Sequence, residues 1–321
     1  METRLLSARS PLDLDEAAGM LLRGGLVAFP TETVYGLGGL ALEPLAVRAI
    51  YAAKGRPPSN PLIVHVLGEE QARPLCDRWP LEARLLARRF WPGPLTLVLP
   101  RSALVPDEVT AGGETVAVRA PSHPDARALL SRLSGAPLAG PSANRAGHVS
   151  PTTAAHVLRD LNGRIDAVLD GGRCAFGIES TVVALLPVPR LLRVGAISRS
   201  ALEDVVGLME SGALPPGIAQ SPGQQRRHYA PAGRVLLVEA ARLGEATRGA
   251  GRVGAIVHSA PGPAALLVKH LPANAAGYAR ELYAALRDLE DADCATIVIE
   301  EVPRGSEWDA IRDRLSRAAA I

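Results

Sequence analysis

Apolar residues recur along the first two thirds of the chain in two interleaved rhythms. At 13–24 they fall at helical intervals behind Asp13 and Glu16, which stand at capping-box spacing, and LVAF at 26–29 then predicts a buried strand. Helices are also predicted at 44–54, where Pro44 suits a first turn, and at 81–90, 124–134, 152–161 and 199–209. Between them PLIVHV (61–66), PLTLVLP (94–100), TVAVRA (115–120), DAVLD (166–170), STVVALL (180–186) and RLLRV (190–194) predict strands. Helices interleaved with strands point to an α/β domain on a twisted mixed sheet.

Residues 210–232 follow neither rhythm and are rich in proline and glycine, the signature of a linker. Beyond it RVLLVEA (234–240), VGAIVHS (253–259) and ATIVIEEV (295–302) alternate with helical patterns at 274–291 and 307–319, which predicts a smaller Rossmann-like α/β domain. No GxGxxG stands at a strand-to-helix turn, so dinucleotide binding has no support there. The expected organisation is a first domain over 1–209, a linker over 210–232 and a second domain over 233–321. A length of 321 residues suits two domains.

Composition narrows the function classes. Hydrophobic residues make up 47% and charged residues 21%, the mix of a folded globular protein. A net charge of +2 lacks the basic excess of a protein that lives on nucleic acid. No stretch approaches the roughly 20 apolar residues that cross a bilayer, and METRLLSARS has no export-type apolar core, so no membrane contact and a cytoplasmic location are expected. Cys76, Cys174 and Cys294 fit neither a disulfide framework nor a zinc site. Only Lys54 and Lys269 are lysines among 35 cationic residues, which gives each lysine unusual weight.

Several segments carry candidate chemistry. FPTETVYGLGG sets Thr31, Thr33 and Tyr35 at period 2, so three hydroxyls share one face, as they also do on a solvated edge strand. KGRPPSNP combines Lys54, Arg56 and Asn60, a point charge and a planar fork that suit a polyphosphate; the plainer reading is a helix C-terminal cap. His65 lies inside a strand on the face of Ile63, and Thr115, Ala117 and Arg119 share a face of theirs, with Arg119 placed to grip a carboxylate or to be solvated. GPSANRAGHVSPTT carries Ser142, Asn144 and Ser150 ahead of a helix whose cap is Ser150 or Thr152. Glu179, Ser180 and Thr181 open one strand after a glycine-rich turn, and Arg193 ends another. With no serine elbow, HExxH or CxxC pair, what remains is a set of phosphate and carboxylate binders that work by positioning and electrostatics.

PTETVYGL, Lys54-Gly55-Arg56, Ser142-Ala143-Asn144, the SPT of 150–152 and GIESTVV, in this order, resemble the threonylcarbamoyl-AMP synthase (YrdC-like) family, and HYAP at 228–231 resembles the linker of its two-domain form. The resemblance implies that L-threonine, bicarbonate and ATP, with Mg2+ and no organic cofactor, give threonylcarbamoyl-AMP, pyrophosphate and water. The product then passes to a tRNA threonylcarbamoyl transferase complex, with direct tRNA binding weak or absent. By similarity Thr33, Tyr35, His65, Arg119 and Ser180 hold threonine. Lys54, Arg56, Asn60, Thr115, Ser142, Asn144, Ser150, Arg193 and Tyr229 hold ATP, with Lys54, Arg56, Ser142 and Asn144 at the reacting phosphates. No protein metal ligand is implied. The linker is expected to close over the nucleotide as a lid. Gln225 stands where the family usually has lysine, Ala146 where a serine often follows SAN, and Val194 where RPG is common. Two other readings are an RNA-binding module and the carbamoyl-transfer domain of hydrogenase maturation proteins.

Overall fold

The computed structural model describes residues 2–212, 230–248, 251–259 and 261–320. Residues 213–229, with most of the expected linker and lid, Tyr229 and Gln225, lie outside the described residues. Two compact units are present. The first comprises the described residues of 1–146, 151–175 and 179–224, the second those of 147–150, 176–178 and 225–321.

The first unit carries strands β1 (Arg4–Ser7), β2 (Val27–Phe29), β3 (Gly36–Leu40), β4 (Ile63–His65), β5 (Leu95–Pro100), β6 (Thr115–Arg119), β7 (Leu138–Ala139), β8 (Ala167–Asp170), β9 (Thr181–Leu185), β10 (Pro189–Arg193) and β11 (Glu210–Ser211). They form one mixed sheet in the order β1-β8-β2-β3-β7-β4-β6-β5-β9-β10-β11. Period-2 alternation decides which side each residue serves. Ala28, Val64, Leu97, Leu99, Val116, Val118 and Val183 join a large core with helices Pro44–Lys54, Leu81–Phe90, Ala154–Leu161 and Arg199–Val206. On the other face Val27, Phe29 and Leu169 pack under helices Pro11–Leu22 and Pro124–Ser131. Further along that second face Ile63, Ala117, Val98, Val182, Ala184 and Leu192 make a smaller apolar floor. The mixed α/β architecture expected from the alternating pattern is the one observed.

Three local expectations are corrected. The first helix is capped by Ser10, whose hydroxyl accepts from the Asp13 amide at 3.2 Å, while the Asp13 carboxylate reaches back to the Ser7 amide at 2.7 Å. Pro11 sets this earlier start, and Glu16 pairs with Arg4 instead of closing a box. Residues 31–34 are a turn, not a strand: Thr31 Oγ1 accepts from the Thr33 and Val34 amides, both at 3.2 Å, and donates to the Val34 carbonyl at 2.6 Å. The helix at 154 is capped by Thr153, which accepts from the His156 amide, and not by Ser150 or Thr152.

The second unit holds an all-parallel sheet of β12 (Arg234–Val238), β13 (Val253–Val257), β14 (Leu267–His270) and β15 (Thr296–Glu300) in the order β12-β15-β13-β14. Helix Ala275–Asp291 buries Tyr278, Leu282, Tyr283 and Leu286. Ligands of such sheets settle beyond the carboxyl ends of the strands. Side chains of the unit itself meet there. The Glu300 carboxylate accepts from the amides of His258 at 2.7 Å and Ser259 at 3.1 Å, and the rings of His258, Tyr278 and Trp308 meet edge to face at 5.5–5.9 Å.

Candidate active site

The apolar floor of the first unit continues into a row of polar side chains because the strand registers align them. His65 of β4 pairs with Arg119 of β6, Arg119 with Thr96 of β5, and Thr96 with Val182 of β9. His65 is buried, edge-on to Phe29 at 5.6 Å, and its Nδ1 has no hydrogen-bond partner among the described residues. Burial and the nearby Arg119 charge push its imidazole down to about 3, so the ring is neutral at physiological pH. Gly140 makes room for it, since a Cβ there would stand 2.7 Å from Nδ1.

Arg119 is not solvated. It is buried, and Nη2 donates to Glu32 Oε1 at 2.7 Å, while the other Glu32 oxygen accepts from the Ser122 amide at 3.1 Å. Thr33, also buried, lies in the same turn, its hydroxyl 2.9 Å from that of Thr31. Ser180 is held from two directions. Its hydroxyl lies 2.8 Å from Thr96 Oγ1 and accepts from Arg193 Nη2 at 3.1 Å, and its carbonyl accepts from Arg193 Nε at 3.0 Å. The Tyr35 hydroxyl points elsewhere, donating to the Gly172 carbonyl at 2.7 Å and tying down the glycine-rich turn. Thr181 closes on the Ile197 backbone. Burial pushes the Cys174 thiol, which feels both Glu32 and Arg119, up to about 12 and keeps it protonated.

At the opposite end of the same strands the cations gather. Helix Pro44–Lys54 ends on Gly55 in the left-handed region (φ 60°), which turns the chain into the Arg56–Asn60 loop. The Lys54 Nζ donates to the carbonyls of Ser142 and Asn144, and the Lys54 carbonyl accepts from the Ala146 amide at 2.9 Å. Lys54 therefore does not cap its helix, as the plainer reading had it, but braces a loop about 90 residues away, a separation that the spacing rules for local pairs do not reach. Burial, with Arg56 beside it, pulls its pKa well below the usual lysine value. Arg56 donates to the carbonyls of Asn60 and Pro61, each at 3.0 Å. Lys54, Arg56, Asn60, Ser142 and Asn144 thus form one cluster. Thr115 lies four residues before Arg119, about 13 Å along β6 at strand rise, which puts it at the cationic end.

Ser150 is buried but falls in the second unit, and Tyr229 lies outside the described residues. Glu32 and Thr96 escaped the sequence reading. Glu32 hides between two threonines that drew the attention, and Thr96 looks like ordinary strand filling, although its period-2 position on the polar face is a usable signal. Among the described residues no three or more His, Cys, Asp or Glu side chains gather as a metal site, and no helix is long and apolar enough to cross a membrane.

The strand row of His65, Arg119 and Thr96 and the Lys54–Arg56 cluster make up the candidate site. It is built on the α/β fold of the Sua5/YciO/YrdC class. The family model described as "Telomere recombination" (Sua5, YciO and YrdC) matches residues 19–195, and the one described as "Threonylcarbamoyl-AMP synthase, C-terminal domain" matches 197–320. The chain belongs to the threonylcarbamoyl-AMP synthase family. It is 41% identical to the threonylcarbamoyl-AMP synthase of Pyrococcus abyssi over 94% of this chain and 93% of that one. Its identity to the Bacillus subtilis synthase is 42%, over 98% and 94% respectively. The structure of P. abyssi Sua5 complexed with L-threonine superposes with a TM-score of 0.92 at 40% identity, covering 99% of this chain and 98% of that one. Matches of this length favour the synthase over an RNA-binding module or a hydrogenase-maturation domain.

Proposed function

We propose that the two ends of this sheet face divide the substrates of threonylcarbamoyl-AMP synthesis, with L-threonine at His65, Arg119, Ser180 and Thr33 and ATP at Lys54, Arg56, Asn60, Thr115, Ser142 and Asn144. The observation that carries the reading is the row His65–Arg119–Thr96 on adjacent strands, which brings three distant segments onto one surface. A guanidinium matches a carboxylate, and a buried hydroxyl pair matches the threonine hydroxyl. A neutral His65 offers a hydrogen bond without repelling the substrate ammonium. Arg193 acts here through Ser180, which it holds, as well as toward the nucleotide.

The chemistry needs no protein nucleophile. The threonine ammonium gives up a proton to solvent, its amine then forms an N–C bond to carbon dioxide with release of a second proton, or to bicarbonate with loss of water, and a carbamate oxygen forms a bond to the α-phosphorus as the bond to the pyrophosphate oxygen breaks and pyrophosphate leaves. The site's contribution is to hold the two reactants in line and to balance charge on the phosphates. An ammonium has three N–H donors; Lys54 gives two to carbonyls and has a third for a phosphate oxygen. Magnesium would enter with ATP and would offset phosphate charge beside Lys54 and Arg56. The product goes to a tRNA threonylcarbamoyl transferase in the cytoplasm, where ATP and tRNA are found, and a net charge of +2 leaves direct tRNA binding weak.

The test is pyrophosphate release by the purified protein with ATP, magnesium, threonine and bicarbonate. Release that requires both threonine and bicarbonate supports the assignment. Release that ignores either one overturns it.

A further inference from the structure

Arg119 meets the site already paired. Its side chain and that of Glu32 are 5% and 6% exposed, and the 2.7 Å contact between them joins the 31–34 turn to the end of β6. The second Glu32 oxygen holds the Ser122 amide, so one carboxylate fixes three segments at the end of the strand row. Taking two charges out of water costs several kcal/mol per ion, and apolar residues of similar volume often serve stability as well or better. A buried pair at this place therefore calls for a reason other than stability.

The guanidinium supplies that reason. It has five N–H donors, and Arg119 Nε is buried without a hydrogen-bond partner among the described residues. A buried donor left unmade is expensive, and a carboxylate is the acceptor that suits it best. We infer that Glu32 is a positioning residue for threonine: it holds Arg119 through Nη2 so that Nε is presented to the substrate carboxylate, and it balances the buried charge while the site is empty. This rests on the reading of Arg119 as the carboxylate partner. The Glu32 carboxylate accepts from Arg119 and from the Ser122 amide, and of these two donors only Arg119 is assigned to threonine. Loss of Glu32 must therefore be felt by threonine and not by ATP.

Glu32→Gln keeps the shape but leaves one acceptor for two donors. The expected result is a KM for threonine raised about tenfold or more, the cost of losing a charge-assisted hydrogen bond, with the KM for ATP unchanged. In Arg119→Lys the threonine KM also rises, and adding Glu32→Gln to it brings no further rise, because the guanidinium fork that Glu32 orients is already gone. A purely structural ion pair gives a different pattern, with both substrates weakened together and the two substitutions additive. If Glu32→Gln fails to fold, Glu32→Asp, which keeps the charge with shorter reach, carries the same threonine-against-ATP comparison. An unchanged or lowered threonine KM in the Glu32 variant, beside a raised one in Arg119→Lys, overturns the inference and leaves the Arg119 assignment standing. An unchanged threonine KM in Arg119→Lys overturns the site assignment itself.

Discussion

Removing the His65 imidazole by His65→Gln changes how stability depends on pH, and the size of the change follows from its surroundings. Buried beside Arg119, the ring has its pKa lowered from 6.5 to about 3. The unfolded chain therefore takes up a proton that the fold refuses. Its stabilising contribution is complete above pH 6.5 and drains away as pH falls towards 3. The slope approaches about 1.4 kcal/mol per pH unit, and between pH 6.5 and 4.5 the fold loses about 2 kcal/mol from this one group. Urea unfolding of the parent and His65→Gln across that range measures the difference, since carboxylates contribute equally to both. The His65 Cε1–H resonance gives a second reading and should stay flat while exposed histidines titrate. Parallel stability curves for the two proteins, or a His65 midpoint of about 5.5 or above, refute the reasoning.

Other substitutions read other parts of the site. Gly140→Ala forces a methyl against His65 Nδ1, so it should cost about 1–3 kcal/mol by overpacking and depress turnover more than that loss explains, measured by unfolding and pyrophosphate release. Thr96→Val removes one of the two side-chain partners of Ser180 and should cost about 1 kcal/mol and raise the threonine KM while the ATP KM holds, checked by steady-state kinetics. Lys54 has a lowered pKa that a triphosphate would raise, so ATP binding should take up protons and weaken with rising pH; calorimetry in buffers of different ionisation enthalpy detects this, and Lys54→Met should abolish it. Thr153→Ala should lower stability by about 1 kcal/mol through the lost cap, with activity kept, as thermal unfolding and turnover together will show.

Alternation made the sheet legible. PLIVHV and TVAVR already split into an apolar face for the large core and a second face bearing His65 and Arg119, and the structure keeps that split. Local competition produced the errors. Thr31, Thr33 and Tyr35 alternate as a strand does, yet the Thr31 hydroxyl bonds to nearby backbone and closes a turn, which spacing cannot distinguish. β14 escaped because its four residues follow a glycine and two prolines, with little room for a period to show. The pairings that assemble the site are longer in range than any pattern along the chain. Arg119 finds Glu32 across 87 residues and Lys54 finds Ser142 across 88. Residue type could suggest what Arg119 and Lys54 bind, but only the fold shows what each is braced against.

On the proposed assignment one sheet face holds threonine at the His65–Arg119 end and the triphosphate at the Lys54–Arg56 end. A crystal structure of this protein with L-threonine and a non-hydrolysable ATP analogue tests it directly. The expected result is the threonine carboxylate in hydrogen-bond contact with Arg119, Glu32 still paired to the guanidinium, and phosphate oxygens on Lys54 and Arg56. Threonine bound away from Arg119, or phosphates that touch neither Lys54 nor Arg56, would contradict it.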